Sequence, residues 1–341
     1  MALKLETRST LPADVAATGG ATECVLGGSL FGSAGRGRPE WPLQTVVAPL
    51  LGSGADWLCE VWRCAGSVAA GQSEGIAWRR SAGVLYGVIE IEEGDYAAQP
   101  GRTPLQAATE EAYRRVFRLL DGQGMPYLWR AWNYLADINR ESSGLERYRQ
   151  FNIGRRDGFF ASSRSTVGDV PAACAIGLAA GPLSIAFLAG QTPAVPVENP
   201  RQTSAYRYPA RYGPRSPTFS RAVLAHPPGQ EVLFVSGTAS IVGHRTVHAG
   251  DPAGQCLESL TNVEAIVEAA NRRARSGPFS LAELACRVYV RNASDFPVVR
   301  ESVRERLRGE DGVVFLQADI CRADLLLEIE ATAAHPLEAG A

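Results

Sequence analysis

From Trp57 onward the chain alternates short apolar runs with turn-forming residues. WLCEVWRCAG (57–66), GIAWRR (75–80) and GVLYGVIEI (83–91) combine aromatic and β-branched residues, which predicts strands in an antiparallel meander. Over residues 103–120 the period becomes helical, with Leu105, Ala108, Ala112, Val116 and Leu119 on one face. Thr103-Pro104 supplies the cap and first position of that helix, and Gly122 and Gly124 stop it. PYLWRAWNYL (126–135) reads as a buried strand, GLERYRQFNIGRR (144–156) as the start of a short helix, and ACAIGLAAGPLSIAFLAG (173–190) as two strands around Gly181-Pro182. Beyond the proline-rich PAVPVENP (193–200), strands and helices alternate: EVLFVSGTAS, a helix over 254–274, LACRVYVRN, a helix over 295–309, GVVFLQADI and DLLLEIEATA. Residues 1–40 are rich in Gly, Ser, Thr and Pro without a sustained period and read as a loose tail or edge segment. The pattern predicts an α/β chain in three parts: a tail over 1–40, an α/β domain over 41–195 and a second over 196–341.

Composition narrows the chemistry more than the fold. At 45% hydrophobic and 21% charged residues, a chain of 341 residues is an ordinary globular protein with room for two domains. No apolar run approaches the roughly 18 residues of a membrane span, and MALKLETRSTLPADV lacks a signal-length apolar stretch, so the cytoplasm is expected. The seven cysteines are odd in number and scattered, which favours free thiols over disulfides or a zinc site. Four histidines without an HExxH or DxDxDG pattern leave no catalytic metal to expect, and GSLFGSAGRG (28–37) lacks the lysine and the frame of a phosphate loop. No cofactor is implied. A net charge of −2 argues against general nucleic-acid binding. Lys4 is the only lysine, and arginine supplies the other 33 positive charges. Any cationic ligand site must then be built from arginine, which grips carboxylates through paired hydrogen bonds, and lysine Schiff-base chemistry is excluded.

Several blocks carry a resemblance. VLFVSG (232–237), then Gly250, Asp251, Gln255, Leu260 and Asn262, then RVYVRNASDF (287–296) and the last strand LLLEIEATA resemble the RidA/YjgF-like fold. Adding WNYLADIN (132–139), YRQFNIGR (148–155), VENP (197–200), RYGPRSPTFSRA (211–222), GHRTVHAGD (243–251) and ADICRADLLLEIE (318–330), the chain resembles the chorismatase family over roughly residues 57–332. The resemblance implies β-α-β units, with the active site in a C-terminal RidA-like domain and a diverged N-terminal domain of related architecture. GVVFLQ (312–317) lacks the arginine that RidA-type deaminases place there, which disfavours imine hydrolysis.

The resemblance also implies an enzyme acting on chorismate, whose enol ether breaks when its methylene carbon is protonated. Glu328 is the candidate acid. Side chains alternate along a strand, so it shares a face with Glu330, and paired carboxylates raise each other's proton affinity. Glu330 itself reads as structural. Cys321 and Gly237 match the members that make 3-hydroxybenzoate, where the hydrolysing members have Ala at both positions. A Cys321 thiolate could remove a ring proton, and Gly237 could leave room for the substrate to bend. Arg215 and Arg291, with Arg207, Arg221 and Arg245 in reserve, are candidates for holding the two carboxylates, and Tyr206, Tyr208 and Tyr212 interleave with them. His244 reads as a polar wall, Asn133, Tyr134 and Asn139 as polar contacts, and Trp129 and Trp132 as core. The expected activity is conversion of chorismate to pyruvate and 3-hydroxybenzoate, with 4-hydroxybenzoate as a further product. Plain hydrolysis to a dihydroxycyclohexadiene carboxylate, or non-catalytic binding of a small carboxylate, stays open at this point. So does assembly, as a monomer or a RidA-like trimer.

Overall fold

In the computed structural model, which describes residues 3–9, 23–33 and 39–337, the apolar runs sort into three main sheets. The first contains β1 (Lys4–Arg8), β2 (Glu23–Gly32), β3 (Leu43–Val46) and β4 (Trp57–Ala65) in the order β1-β4-β2-β3. Two expectations are corrected here. WLCEVWRCAG is a strand, but it pairs with β1 and β2 and is no part of the meander that follows. The described part of residues 1–40 is also not a tail, since β2 is buried along nearly its whole length. Its glycines are points of close approach: a Cβ on Gly27 would lie 2.0 Å from the Tyr86 ring, and one on Gly28 2.2 Å from the Glu60 carbonyl. The rest of that stretch, including the end of the glycine-rich run 28–37, lies outside the described residues.

The remaining two sheets repeat one topology. In the N-terminal half, β5 (Ala69–Ser73), β6 (Ile76–Arg80) and β7 (Val84–Ile91) form a meander, followed by α1 (Pro104–Gly122), β8 (Tyr127–Ala136), α2 (Arg147–Ala161), β9 (Ala172–Leu178) and β10 (Leu183–Gly190). The order is β9-β8-β10-β7-β6-β5, with β9 parallel to β8 and β10 inserted antiparallel between β8 and β7. The C-terminal half runs β11 (Val195–Val197), β12 (Ala222–Ala225), β13 (Gln230–Thr238), α3 (Pro252–Asn271), β14 (Ala285–Val290), α4 (Phe296–Leu307), β15 (Val313–Gln317) and β16 (Leu327–Pro336). Its order, β11-β12-β13-β16-β14-β15, has the same parallel pair and the same inserted last strand. The related architecture expected of the two halves is therefore present.

The helices form where the sequence provides for them. Thr103 and Gln106 make a reciprocal capping box at the start of α1, and the five predicted apolar positions are buried. Against α1 lies α2, at a distance set by glycine: a Cβ on Gly154 would meet the Gln106 carbonyl at 2.3 Å, and one on Gly158 the Glu110 carbonyl at 2.9 Å. The main apolar cluster lies between the sheets and draws residues from all three, among them Phe31, Trp62, Trp132, Leu188, Phe234 and Tyr289. Trp129 and Trp132 are core residues, as expected.

Charged groups are sealed into the same junction. Arg287 on β14 donates to Glu60 on β4 at 2.6 and 2.8 Å and to Glu330 on β16 at 3.1 Å. Arg130 on β8 pairs with the other oxygen of Glu330. Tyr289 donates to Glu330 at 2.9 Å, and its oxygen lies 2.7 Å from the Tyr134 hydroxyl. Ions taken from water this completely are tolerated only because each is paired and hydrogen-bonded.

Candidate active site

A cavity of about 420 Å³ opens where β9 of the N-terminal half faces β13 and β16 of the C-terminal half. That volume suits a small organic ligand. The walls are locked together through a serine hydroxyl: Ala173 N donates to Ser236 Oγ, which in turn donates to the Ser220 carbonyl. Further along the same edge of β9, Gly177 and Asp319 exchange both backbone hydrogen bonds and hold the loop that carries Cys321.

Glu328 forms the floor. The ladder between β13 and β16 skips here, because Val235 pairs with Ala331 and Thr238 with Ile329, leaving two residues opposite one. The glycine that ends VLFVSG thus marks a β-bulge inside β13. Gly237 sits in it, and its missing side chain is occupied by the acid: a Cβ there would lie 1.7 Å from Glu328 Oε1. Glu328 is only 4% exposed. Burial, then the neighbouring Glu330 charge, push its carboxyl up to about 8, against partial relief from Arg130 and Arg221. Both effects favour its protonated form.

Cys321 also lines the cavity, but as a thiol. Burial first and the Glu328 charge second push it up to about 12. The thiolate base that the sequence suggested is therefore corrected, since a desolvated site with an acidic neighbour disfavours the anion.

The remaining wall is cationic and aromatic. The Arg322 guanidinium lies over the Tyr212 ring at 4.2 Å and the Tyr208 ring at 5.1 Å, and donates to the His244 carbonyl at 3.0 Å. Arg221 donates to the Thr203 carbonyl at 2.7 Å and to the Tyr208 hydroxyl at 2.8 Å. Arg155 is buried among Phe151 and Phe219 and donates to Asn152. Each of the three keeps one buried nitrogen without a protein partner: Nη2 of Arg322, Nε of Arg221 and Nε of Arg155. Arg149 and Arg245 complete the rim. Among the described residues no His, Cys, Asp and Glu cluster is arranged to hold a metal ion, and no helix is long and apolar enough to cross a membrane.

Residues 60–189 match the model of the FkbO/Hyg5-like chorismatase N-terminal domain. A chorismatase of Streptomyces rapamycinicus is 41% identical over 282 residues, covering 81% of this chain and 82% of the relative. The chain belongs to the chorismatase family. A 3-hydroxybenzoate synthase of Streptomyces hygroscopicus is 38% identical, over 86% of this chain and 85% of the relative. A solved chorismatase structure superposes with a TM-score of 0.85 at 34% identity, covering 97% of this chain and 98% of its own.

Within this chorismatase fold the predicted site residues separate into two groups. Glu328, Cys321, Gly237, Tyr212, Arg245 and the reserve Arg221 line the cavity. Four others do not, and their expected places are corrected. Arg215 and Arg207 are exposed, with Arg207 lying over the ring of Tyr206, and none of these three reaches the wall. Arg291 is a loop staple: it donates to the carbonyls of Leu325, Ile320 and Arg322 and pairs with Asp319, so its donors are spent on the segment that presents Cys321. Asn139 accepts from Arg291, Asn133 accepts from Tyr113, and Tyr134 joins the buried charge cluster, so all three act behind the wall. His244 stands beside Tyr212 at 3.2 Å. Sequence reasoning missed Arg155, Arg149, Tyr148 and Arg322. The signal was present, since YRQFNIGR and ADICRADLLLEIE contain all four.

Proposed function

We propose that the protein cleaves the enolpyruvyl ether of chorismate to give pyruvate and 3-hydroxybenzoate, with Glu328 as the proton donor. The observation that carries this reading is a buried carboxyl group, in surroundings that favour its protonated form, at the floor of a cavity walled by arginines. Arg155, Arg221 and Arg322 on the cavity wall suit a dianion, because guanidinium groups grip carboxylates through paired hydrogen bonds. Proton transfer from Glu328 to the methylene carbon makes the methyl group of pyruvate and leaves an oxocarbenium ion. The adjacent ring hydroxyl closes on that cation and gives up its proton. Removal of the ring hydrogen on the ether-bearing carbon and cleavage of the other ring carbon–oxygen bond then aromatise the ring. The resulting hemiketal alkoxide collapses to the ketone of pyruvate, expelling the ether oxygen as a phenol that takes up the proton given up by the hydroxyl. The two products together contain the atoms of chorismate, so no water is consumed. Having given its proton, Glu328 is a carboxylate at the reacting centre and is the available base for the ring hydrogen. Cys321 serves as an apolar thiol that keeps water from the cation.

The relative named 3-hydroxybenzoate synthase supports the aromatic product, as does the combination of Cys321 and Gly237. The test is incubation of pure protein with chorismate and separation of the products. 3-Hydroxybenzoate in equimolar amount with pyruvate is expected. Recovery of the non-aromatic diol alone overturns the aromatising step, and absence of pyruvate overturns the whole reading.

A further inference from the structure

The buried charge cluster at the three-sheet junction and the proposed acid share one strand face. Glu328 and Glu330 are two positions apart on β16, so their side chains leave the sheet on the same side about 7 Å apart. Glu330 is 2% exposed, and both its oxygens are held: Oε2 by Arg130, Oε1 by Arg287 and Tyr289. Arg287 is tied in turn to Glu60 on the N-terminal sheet. A carboxylate gripped from two sheets cannot swing away from its neighbour, and protein rather than water surrounds it.

We infer that Glu330 is a positioning residue for the reaction, a fixed negative charge that sets the proton affinity of Glu328. The inference rests on the reading of Glu328 as the acid. The groups that face Glu328 define the field. Glu330 favours its protonated form; Arg130 from β8 and Arg221 from the segment before β12 oppose it. Cys174 on β9, Cys321 in the loop before β16 and Tyr148 on α2 are all neutral, their protons held by burial, and add no opposing charge. Glu330 is thus the anion that acts most strongly on Glu328, while Glu146, Asp324, Arg155 and Arg322 line the same cavity. A unit charge at about 7 Å in a protein interior moves a titration by about one to two pH units.

The experiment is the pH profile of kcat/KM for chorismate in wild type and five variants. Wild-type activity should fall as pH rises through about 8, where Glu328 is expected to lose its proton. Glu330→Gln should move that limb down by about one to two pH units, and Glu330→Asp, which keeps the charge, should restore it. Glu60→Gln breaks the same junction without touching the charge beside Glu328; it should lower the melting temperature and leave the limb in place. An unmoved limb in Glu330→Gln, or an equal shift in Glu60→Gln, overturns the inference. If Glu330→Gln does not fold, Arg130→Gln tests the same field with opposite sign, and a limb that fails to move upward overturns it. Glu328→Gln separates the two readings. Full activity in that variant removes the acid itself, whereas an inactive Glu328→Gln beside an unmoved Glu330→Gln limb removes only the role of Glu330.

Discussion

Replacing Gly237 with alanine is the smallest change that reaches the proposed chemistry. The new methyl carbon would lie 1.7 Å from Glu328 Oε1 and 2.5 Å from Cδ. Ordinary contact needs about 3.5 Å, so the carboxyl must retreat by roughly 1.8 Å. The backbone has no reason to object, since Gly237 is not among the glycines with positive φ. The cost therefore falls on the position of the acid rather than on the fold. A reacting group displaced by about 1 Å loses about a hundredfold in rate, equivalent to about 2.7 kcal/mol of barrier. Pyruvate release, followed by coupled reduction with lactate dehydrogenase, should slow by about that factor while the melting temperature holds. Chromatography of the residual product should show the diol, because a carboxyl turned away from the bulge leaves space for water beside the cation. A Gly237→Ala protein with wild-type rate and undiluted 3-hydroxybenzoate would show that the acid does not need this recess.

Three further outcomes follow from the geometry. Arg322→Gln removes a charged donor from the cavity wall and should lower kcat/KM for chorismate by about 10- to 100-fold, whereas Arg215→Gln, exposed and off the wall, should leave it unchanged; equal effects would refute the assignment of the wall. Because burial pushes the Cys321 thiol up to about 12, iodoacetamide at pH 7.5 should alkylate it slowly and leave turnover intact, and rapid inactivation protected by substrate would show a thiolate. The folded state raises the Glu328 carboxyl above its unfolded value, so its contribution to stability is whole below about 4.5 and is lost as pH rises towards 8, by about 4 kcal/mol. Glu328→Gln should accordingly melt higher than wild type at pH 8.5, with the gain shrinking at pH 5; no gain at the higher pH would mean that the acid is not desolvated.

The helices and most strands were legible because their signals are local: the five apolar positions of α1 repeat with the helical period, and Thr103 begins it with a cap. Glu328 was legible for a similar reason, since alternation along a strand puts it beside Glu330. What was not legible depends on partners distant in the chain. Glycines in β2 looked like slack, because nothing local shows that Tyr86 and the Glu60 carbonyl press against them. Arg291 looked like a ligand arginine until the loop it staples came into view. Among 33 arginines, type and neighbourhood do not reveal which reach the cavity. Arg155 does so only because Gly154 and Gly158 let α2 settle against α1. The thiolate reading of Cys321 failed on desolvation, which is a property of the assembled cavity.

The repeated topology has a consequence for stoichiometry. Two copies of one architecture invite the expectation of two ligand sites, related by the internal pseudosymmetry. On β16 the face turned to the junction carries Glu328 and Glu330; on the corresponding strand β10 that face carries Ala186 and Leu188, absorbed into the shared apolar cluster. The N-terminal copy has no acid on this strand and lends a wall, through β9 and the arginines of α2. A non-reactive dicarboxylate titrated calorimetrically should saturate at a single equivalent per chain, with a hyperbolic isotherm. Duplication here has divided the labour, one copy holding the reagent and the other closing the vessel.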